Sequence, residues 1–546
     1  MVLVRFLQFT KRGRMPSTVF PLNFFDDLLQ LRQQLLGGDA AETAGVLHGH
    51  ALEHEAGGGV VHGLQLRVAA GQLLLQPGIL LQDPGEAGVF VVTHEIAPLF
   101  RFVTPFYHAA GERESLIGCA SENFVVKSEK TLREVRNMKS ERSYPKCIIS
   151  AKGADWVNGG HPWIYEGEVV RREGDFANGC LADAVSGKGR WLGTGLYSEH
   201  SKIRLRLISH NPNDRFDAEF WRRRIQYAWA YRKTVMDGQT DCCRVIFGEA
   251  DGFPGLTVDR FHDIMVTQTL SVGMERLKPV IFPLLVEVLR QDGQEIRGIF
   301  ERNDVAIREL EGLEQGKGWY ELPGLPQPES SVVEICENGV RYLVDVENGQ
   351  KTGFFLDQKF NRLAVARLAK GRRVLDCFTH TGSFALNAAR GGAEYVEGWD
   401  ISASAVAMAK ENARRNGLEH IADFQQHDVF DRLSELSERA HKPFDFIILD
   451  PPAFTKSRKT ADAAERGYRE INYRAMKLLP RGGYLATASC SHFMPHERFE
   501  RMLRSAAREA SVQLRQIEVR QQAPDHPILW NVPETDYLKF YLFQVV

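Results

Sequence analysis

The chain has 546 residues, 43% of them hydrophobic and 25% charged, and a formal net charge of −2. At roughly 100–200 residues per domain, these values predict a soluble globular protein of three or four domains. The near-zero charge does not by itself indicate a nucleic-acid-binding protein, although a local basic patch would escape such an average.

The cysteines and the apolar segments exclude several further classes of protein. The 8 cysteines are scattered, with no CxxC pair and no spacing typical of zinc, which suits a reducing compartment. No apolar run is long enough to span a bilayer, and the N-terminus lacks the features of a signal peptide. We therefore expect a cytoplasmic protein without a metal and without a membrane association.

Residues 1–137 stay unassigned, because the stretch 36–88 is rich in Gly, Ala, Leu, Gln and His without a period of 2 or 3.6. Two interpretations are open: a novel N-terminal domain, or an upstream extension from a misassigned start, with Met138 as the real first residue. We favour the second. This stretch contains four histidines, His48, His50, His54 and His62. Their spacing does not fit a compact metal site.

Short strands and turns begin near residue 145 and predict a small β-barrel over 145–220. The residues 185–189 (VSGKG) indicate a hairpin turn. Lys202, Arg204 and Arg206 alternate along one strand and so are expected on one face, where a basic stripe would suit RNA phosphates. An ordinary solvated strand face is the alternative.

A central α/β domain is predicted over 221–335. The sequence predicts a helix at about 217–235, strands within 245–271, a second helix at 277–291 and a strand at 298–304. The Pro- and Gly-rich stretch 321–331 indicates a linker or long loop.

Strands and helices alternate from about residue 340, which is typical of a parallel sheet. The strands are predicted in RRVLDCF, YVEGWDIS, FDFIILD and GGYLATASCS, with LKFYLFQVV as a last strand. Ser402 can cap a helix that Gly417 ends. We expect the last strand to run antiparallel if the sheet has the usual methyltransferase topology.

The first of these strands leads into a Gly-containing turn that lets a ligand approach the backbone and the free N–H groups of a helix N-terminus. We expect four cofactor-binding residues in this turn: Asp376, Phe378, Thr381 and Gly382. The turn lacks the GxGxxG of a dinucleotide site, which argues against a nicotinamide cofactor.

Two carboxylates follow the next strands. Asp400 ends the second strand, where it can accept hydrogen bonds from both ribose hydroxyls, and Asp428 is placed to reach an adenine edge. Helix capping is the alternative for both residues. Strand-end residues in this order predict S-adenosylmethionine as the cofactor.

The fourth strand ends in an Asp-Pro-Pro-x-Phe motif that is typical of enzymes methylating nucleobases. Asp450 would face the base and the cofactor, Pro451 and Pro452 would stiffen the loop, and Phe454 could stack on the base. Lys456 lies in a basic patch directly after this motif.

Cys490 ends the fifth strand and decides the chemistry. A thiolate that adds to carbon 6 of a pyrimidine makes carbon 5 nucleophilic enough to accept a methyl group, while Asp450 hydrogen-bonds N3 and the exocyclic amine. The helix expected near Pro495 would help the thiol to ionise. A buried structural cysteine is the alternative, and the base for the elimination step stays open between Asp450, His492 and water.

The chain resembles the bacterial 23S ribosomal RNA 5-methylcytosine methyltransferase family from about residue 147 to 546. The matching stretches are HPWIYEGEV, GEADGFPGLTVDRF, LVDVENGQKTGFFLDQ, VLDCFTHTGSFA, LDPPAFTKSR, RGYREIN, SCS and APDHP. The resemblance implies an α/β fold: a Rossmann-like class I methyltransferase domain over 340–546, preceded by a PUA-like RNA-binding β-barrel and the central α/β domain.

The resemblance also implies roles for particular residues. Cys490 would be the nucleophile, and Gln358 would line the cofactor, whereas Phe354 and Phe355 would serve either the cofactor site or the core. The implied partner is large-subunit ribosomal RNA, with a homodimer as an open possibility.

The predicted function is therefore methyl transfer from S-adenosylmethionine to carbon 5 of a cytosine in 23S ribosomal RNA through a Cys490 adduct. One alternative is an RNA methyltransferase that acts on adenine N6 or guanine without covalent catalysis. Another is a non-catalytic RNA-binding protein on the same fold.

Overall fold

The computed structural model of the chain describes residues 3–10, 13–14, 65–69, 72–76, 88–93, 143–438, 442–455 and 457–546. The histidines at 48–62 and Met138 lie outside these described residues. The chain divides into two compact units, 1–135 and 136–546. None of the described helices is long and apolar enough to cross a bilayer.

The described part of the first unit consists of short strands. β1 pairs antiparallel with β2 and β5, and β3 pairs antiparallel with β4. The strands are β1 (Leu3–Thr10), β2 (Gly13–Arg14), β3 (Gln65–Ala69), β4 (Gln72–Gln76) and β5 (Gly88–Thr93).

The second unit begins with a six-stranded sheet in the order β7-β11-β10-β9-β6-β8. Its strands are β6 (Lys146–Ile149), β7 (Trp163–Tyr165), β8 (Val169–Glu173), β9 (Leu181–Ser186), β10 (Trp191–Tyr197) and β11 (Ile203–Ser209). Register shifts interrupt several of its pairings, and such bulges bend a sheet toward closure. The predicted turn at 185–189 joins β9 to β10 and is confirmed. Helix α1 (Ala151–Asn158) covers part of the sheet and begins where Ser150 accepts a hydrogen bond from the Gly153 N–H.

A five-stranded mixed sheet in the order β12-β13-β14-β15-β16 follows. Its strands are β12 (Cys242–Phe247), β13 (Leu256–Phe261), β14 (Ile264–Thr269), β15 (Gly298–Arg302) and β16 (Lys317–Trp319). Two helices pack on it, α2 (Ala218–Val235) and α3 (Val272–Gln291). α3 begins earlier than we predicted, because the Ser271 side chain caps it.

The hairpin of β17 (Val332–Glu337) and β18 (Val340–Asp345) lies at a predicted domain boundary. We expected the central domain to end at 335 and the catalytic domain to begin at 340, which would divide this hairpin. Its alternate residues Val333 and Ile335 are buried in one core that includes Phe261 and Phe300 of the five-stranded sheet as well as residues of the sheet that follows. The hairpin thus packs against both sheets, and the two predicted bounds stay predictions.

The last sheet has seven strands in the order β21-β20-β19-β22-β23-β25-β24, the order typical of class I methyltransferases. Only β25 runs against its neighbours, as we predicted, pairing antiparallel with both β23 and β24. The strands are β19 (Arg373–Cys377), β20 (Tyr395–Asp400), β21 (Ala422–Gln426), β22 (Phe446–Leu449), β23 (Tyr484–Ser489), β24 (Leu514–Arg520) and β25 (Lys539–Val545).

Helices cover both faces of this sheet. They are α4 (Lys359–Leu368), α5 (Ser383–Arg390), α6 (Ala403–Arg415), α7 (Val429–Ser437), α8 (Ala461–Leu478) and α9 (His496–Glu509). The predicted cap of α6 is confirmed, because Ser402 accepts a hydrogen bond from the Ala405 N–H, and Gly417 follows the helix with a φ of 65°.

A buried ion pair joins the hairpin to α4. Arg362 and Glu337 have fully buried side chains, and Arg362 Nε donates to Glu337 Oε1 at 3.1 Å. The same guanidinium donates to the Phe355 carbonyl at 3.0 Å and lies 4.7 Å from the centre of the Phe354 ring. Arg362 thereby holds the segment 354–358, which leads into the candidate site.

We expect Glu337→Ala to lower the free energy of unfolding by about 3–5 kcal/mol, because the guanidinium of Arg362 would stay buried without its counter-ion. Glu334→Ala on the same strand is the matched control. Glu334 forms ion pairs at the surface with Arg341 and Arg415, so its loss should cost less than about 1 kcal/mol. Urea denaturation measures both changes, and equal costs would contradict a structural role for the buried pair.

Candidate active site

The turn after β19 is built from unusual backbone conformations. Phe378, His380 and Gly382 have φ values of 63°, 50° and 84°. A Cβ at Gly382 would lie 3.0 Å from the Phe424 ring, so the turn can pass this ring only with glycine. The turn ends at the N-terminus of α5, and a helix N-terminus can present backbone N–H groups to a ligand.

Asp376 lies at the base of this turn with 1% of its surface exposed. Its Oδ2 accepts hydrogen bonds from the Thr379 hydroxyl at 2.6 Å and the Ala385 N–H at 2.9 Å. Its Oδ1 is buried and has no hydrogen-bond partner among the described residues. Burial raises the pKa of Asp376 to about 7, and the negative charges of Asp450 and Asp400 add to the shift.

Asp400 and Asp428, the residues predicted to bind the ribose and the adenine, have different environments in the structure. Asp400 accepts hydrogen bonds from the His380 N–H and the Ser402 N–H, each at 2.9 Å, so it ties the end of β20 to the cofactor turn. It is not the cap of α6, since Ser402 is. Asp428 is exposed and caps α7 through hydrogen bonds from Phe430 and Asp431. The capping alternative therefore holds for Asp428, and its contact with adenine stays a prediction.

The segment before α4 joins the cofactor turn to the Asp-Pro-Pro loop. Gln358 is buried, and its Nε2 donates to Asp450 Oδ1 at 2.9 Å. Phe355 lies with its ring centre 5.3 Å from that of His380. Phe354 is buried in the core, 5.1 Å from Tyr342. Of the two predicted alternatives, core packing therefore applies to Phe354, whereas Phe355 lies beside the cofactor turn.

Asp450 follows β22 directly and is half-buried. Burial raises the pKa of Asp450 to about 7, and the negative charge of Asp357 raises it further, whereas the hydrogen bond from Gln358 acts in the opposite direction. A carboxyl group with this pKa can donate or accept a proton near neutral pH.

Phe454 differs from its predicted role as a platform for the base. Its ring is half-buried and packs against three other aromatic rings. The distances between ring centres are 4.6 Å to Tyr468, 5.7 Å to Phe430 and 6.3 Å to Phe378. These contacts fix the Asp-Pro-Pro loop onto α7 and α8. Stacking on a base stays a prediction for Phe454.

The two prolines of the loop are placed differently, since Pro451 is buried and Pro452 is exposed. Lys456, in the predicted basic patch, lies outside the described residues.

Cys490 follows β23 and is a half-buried free thiol. Burial raises the pKa of the Cys490 thiol. The positive charges of Lys351 and Lys539 lower this pKa, and the negative charges of Asp450 and Asp357 raise it. Cys490 and Asp450 thus lie within electrostatic reach of each other. Cys377, by contrast, is completely buried behind the cofactor turn, as expected for a packing residue.

Three charged residues at the site escaped prediction. Asp357 is buried and accepts a hydrogen bond from the Tyr537 hydroxyl at 2.7 Å. Burial opposes ionisation, yet the pKa of Asp357 is lowered to about 2, and the positive charge of Lys351 is the strongest of the influences that lower it. Lys351 is exposed, with Nζ 4.5 Å from the centre of the Phe355 ring. Lys539 is buried at the start of β25. A lysine opening an otherwise apolar strand was the one signal that could have marked Lys539.

The predicted basic stripe on the PUA-like sheet is largely corrected. Arg206 is buried, donates to Glu311 at 2.7 Å and lies 5.8 Å from the Trp163 ring. Arg204 is bonded to the Ser198 carbonyl and the Glu166 carboxylate. These guanidinium groups stabilise the protein itself, because a strand that packs against a neighbouring domain must pair its charges.

Lys202, which precedes β11, is exposed. Of the three residues, it therefore remains the one suited to a phosphate.

The residues around the cofactor turn fit S-adenosylmethionine. This molecule carries a positive sulfonium and a positive amino group, and three carboxylates lie in or close to the turn: Asp376, Asp400 and Asp450. The unpartnered Oδ1 of Asp376 and the mutual repulsion of these carboxylates are costs that a cationic ligand would relieve. The turn backbone and Gln358 would hold the ligand together with them.

We expect Asp376→Asn to stabilise the protein when no ligand is bound. Because the pKa of Asp376 is about 7 in the folded state and about 3.9 in an unfolded chain, the wild-type free energy of unfolding falls as the pH rises between these values. At about pH 8 the variant should gain roughly 1–2 kcal/mol, and the gain should shrink toward pH 4.

Asp428→Asn is the matched control for this experiment. Asn and Asp are equivalent as helix caps at an exposed position, so the effect of this substitution should be small. Urea denaturation at both pH values, together with isothermal titration with S-adenosylmethionine, checks the prediction. A gain for Asp376→Asn that does not vary with pH would contradict it.

Comparisons with known proteins agree with this geometry. The family model of S-adenosylmethionine-dependent methyltransferases matches residues 324–544. The model of PUA-like domains matches residues 148–210. The predicted fold class and cofactor are therefore confirmed.

Two curated relatives carry the name ribosomal RNA large subunit methyltransferase I. The protein of Klebsiella pneumoniae (strain 342) is 37% identical over 405 residues, which are 74% of this chain and 99% of the relative. The protein of Escherichia coli O9:H4 (strain HS) is 39% identical over 391 residues, 71% of this chain and 96% of the relative.

Solved structures show the same fold. A protein from Streptococcus mutans described as a SAM-dependent methyltransferase aligns with a TM-score of 0.62 at 21% identity, over 73% of this chain and 100% of its own. A methyltransferase crystallised with SAH aligns with a TM-score of 0.63 at 20% identity and the same coverage. From the extent and identity of the sequence matches, this chain belongs to the ribosomal RNA large subunit methyltransferase I family.

Proposed function

We propose that this chain transfers a methyl group from S-adenosylmethionine to carbon 5 of a cytosine in 23S ribosomal RNA, through a covalent adduct with Cys490. The names of the relatives support ribosomal RNA of the large subunit as the substrate. The observation that carries the proposal is a half-buried thiol within electrostatic reach of a carboxyl group with a pKa of about 7.

The first step needs a thiolate and a proton donor on the same base. The Cys490 thiolate gives an electron pair to carbon 6, and the C5=C6 electrons shift through the ring toward N3. Asp450 in its protonated form donates its proton to N3, which prevents a build-up of negative charge on the ring. Its raised pKa lets a useful fraction of Asp450 carry this proton near neutral pH.

The second step uses the electron-rich carbon 5. Bound S-adenosylmethionine supplies an electrophilic methyl group at this point and is left as a neutral thioether. The Asp376 and Asp400 side chains orient the donor, and Gln358 keeps Asp450 in place through their 2.9 Å hydrogen bond.

The last step removes the proton from carbon 5, which restores the C5=C6 double bond and releases Cys490 as a thiolate, while N3 loses its added proton to solvent. Asp450 is ionised after the first step and can then accept this proton. His492, the other side-chain candidate, is exposed, which makes Asp450 the better choice of the two.

We propose that the PUA-like sheet binds a part of the RNA outside the cleft. Lys202 supports this because it is exposed and precedes the strand that carries the two paired arginines. A phosphate contact there would contribute affinity that falls with salt, without reading the sequence. A homodimer stays an open prediction.

We expect Cys490→Ala to abolish methyl transfer while S-adenosylmethionine still binds, because the pyrimidine carbon is not nucleophilic enough without the thiolate. Cys336→Ala is the matched control, since Cys336 is an exposed cysteine on β17 and its loss should leave the rate unchanged. RNA containing 5-fluorocytidine should form a complex with the wild type that survives denaturation, and none with Cys490→Ala. Full activity of Cys490→Ala would instead favour methylation of adenine N6 or guanine.

Ribosomal RNA from a strain that lacks the gene should have lost one 5-methylcytosine, detected by mass-spectrometric mapping of 23S fragments. The wild-type gene should restore this modification, and the Cys490→Ala gene should not. An unchanged set of 5-methylcytosines together with the loss of a different methylated base would contradict the proposed substrate.

A further inference from the structure

Lys539 is a charged residue in an apolar environment. It opens β25 and is 2% exposed, and the strand that follows consists mainly of buried hydrophobic residues. In the sheet it lies directly opposite Ser489, the residue before Cys490. Burial of an ammonium group is costly unless the group is paired or hydrogen-bonded, so its position requires a partner.

The hydrogen bonds of Lys539 place its amine beside the Cys490 peptide. Nζ donates to the carbonyl oxygen of Ser491 and to that of Tyr537, both at 2.7 Å. An ammonium has three hydrogens, so these two bonds leave one for a further acceptor. Cys490 lies in the chain between the residue opposite Lys539 and the residue whose carbonyl it binds.

The electrostatics of the pair are reciprocal. The positive charge of Lys539 lowers the pKa of the Cys490 thiol, and a negative charge on Cys490 raises the pKa of Lys539. Burial lowers the pKa of Lys539 to about 8, although the negative charges of Cys490 and Asp536 act in the opposite direction, so the amine remains mostly charged at neutral pH.

The other charged and titratable groups around Cys490 make this amine important. The exposed Lys351 also favours the thiolate, whereas the remaining neighbours oppose it or are neutral acids. These neighbours are Asp450, Asp357, Tyr468 and Tyr537. Lys539 is the one buried cation among the described neighbours of the thiol, so solvent and salt screen it least.

We propose that Lys539 is a positioning residue that increases the fraction of Cys490 in the reactive thiolate form, because its buried ammonium is fixed at the backbone next to this thiol. This proposal rests on the proposed function, in which the thiolate attacks the base. The proton leaves the sulfur for solvent before the attack, and Lys539 keeps its own three. The N-terminus of α9, which we had expected to provide this charge, begins only at His496.

The test is the pH dependence of Cys490 alkylation by iodoacetamide, followed by mass spectrometry of each cysteine peptide. Lys539→Met removes the charge and keeps the length of the side chain, and Lys539→Arg keeps the charge. We expect Lys539→Met to slow the alkylation of Cys490 at least about tenfold near neutral pH, a shift of one pKa unit, while Lys539→Arg stays close to the wild type. The exposed Cys336 provides an internal reference whose alkylation rate should not change.

A folded Lys539→Met protein that alkylates Cys490 at the wild-type rate would overturn the proposal. Methylation assays separate this outcome from a failure of the proposed function. If Cys490 were not the nucleophile, Cys490→Ala would remain active, whereas the alkylation shift in Lys539→Met would still appear.

A second measurement covers the case in which Lys539→Met does not fold. In protein labelled with 13C at the lysine ε-carbon, NMR follows the titration of Lys539 in the wild type and in Cys490→Ser. Because the coupling between two groups is reciprocal, loss of the thiolate should lower the titration midpoint of Lys539. An identical midpoint in both proteins would overturn the proposal.

Discussion

Arg362 carries a permanent charge in a place from which water is excluded, and much of the catalytic domain is arranged to keep that charge paired. Arg362 belongs to the helix α4, next to the sheet. Its guanidinium pairs with Glu337 from the hairpin and donates a hydrogen bond to the Phe355 carbonyl. One side chain therefore joins the hairpin, the segment 354–358 and the helix α4. The segment 354–358 carries Gln358 into contact with Asp450, so the position of the proposed catalytic carboxyl group depends on this buried pair.

The site itself is a region of desolvated charge. Asp376 and Asp450 have pKa values raised to about 7 by burial, and Lys539 has its pKa lowered to about 8 by the same cause. Each of these groups is less stable in the folded protein than it would be in water, and a well-packed apolar substitute would stabilise the fold. In the proposed function these charges have a use, because the binding of a cationic cofactor and the attack on a base both need charges that water does not screen.

The sequence was sufficient to predict the class of the fold, the cofactor turn and the antiparallel last strand, because strand-end glycines and carboxylates recur there in a fixed order. It was insufficient for pairings set by tertiary contacts. Arg206 reads as a free basic residue in a strand, yet it is buried against Glu311, which lies 105 residues away in the chain. Asp428 has the same sequence context as Asp400, but only Asp428 caps a helix.

Two further features escaped prediction for physical reasons. β24 is an edge strand that contains three charged residues, Arg515, Glu518 and Arg520, so it lacks the apolar signal of a central strand. Lys539 could not be assigned because its importance comes from the register with Ser489, which only the sheet defines. In both cases the information lies in which strands become neighbours, and local patterns do not contain it.

The place of β25 has a consequence for the order in which the protein is made. β25 follows every other strand in sequence, yet it lies between β23 and β24 in the sheet. While a ribosome is synthesising the chain, Cys490 emerges well before the strand that brings Lys539 beside it. A nascent chain that ends before β25 therefore has a β23 edge without a partner and a thiol without its amine. With the roles proposed for Cys490 and Lys539, such an incomplete chain would lack the activity of the finished enzyme while it is still attached to the ribosome.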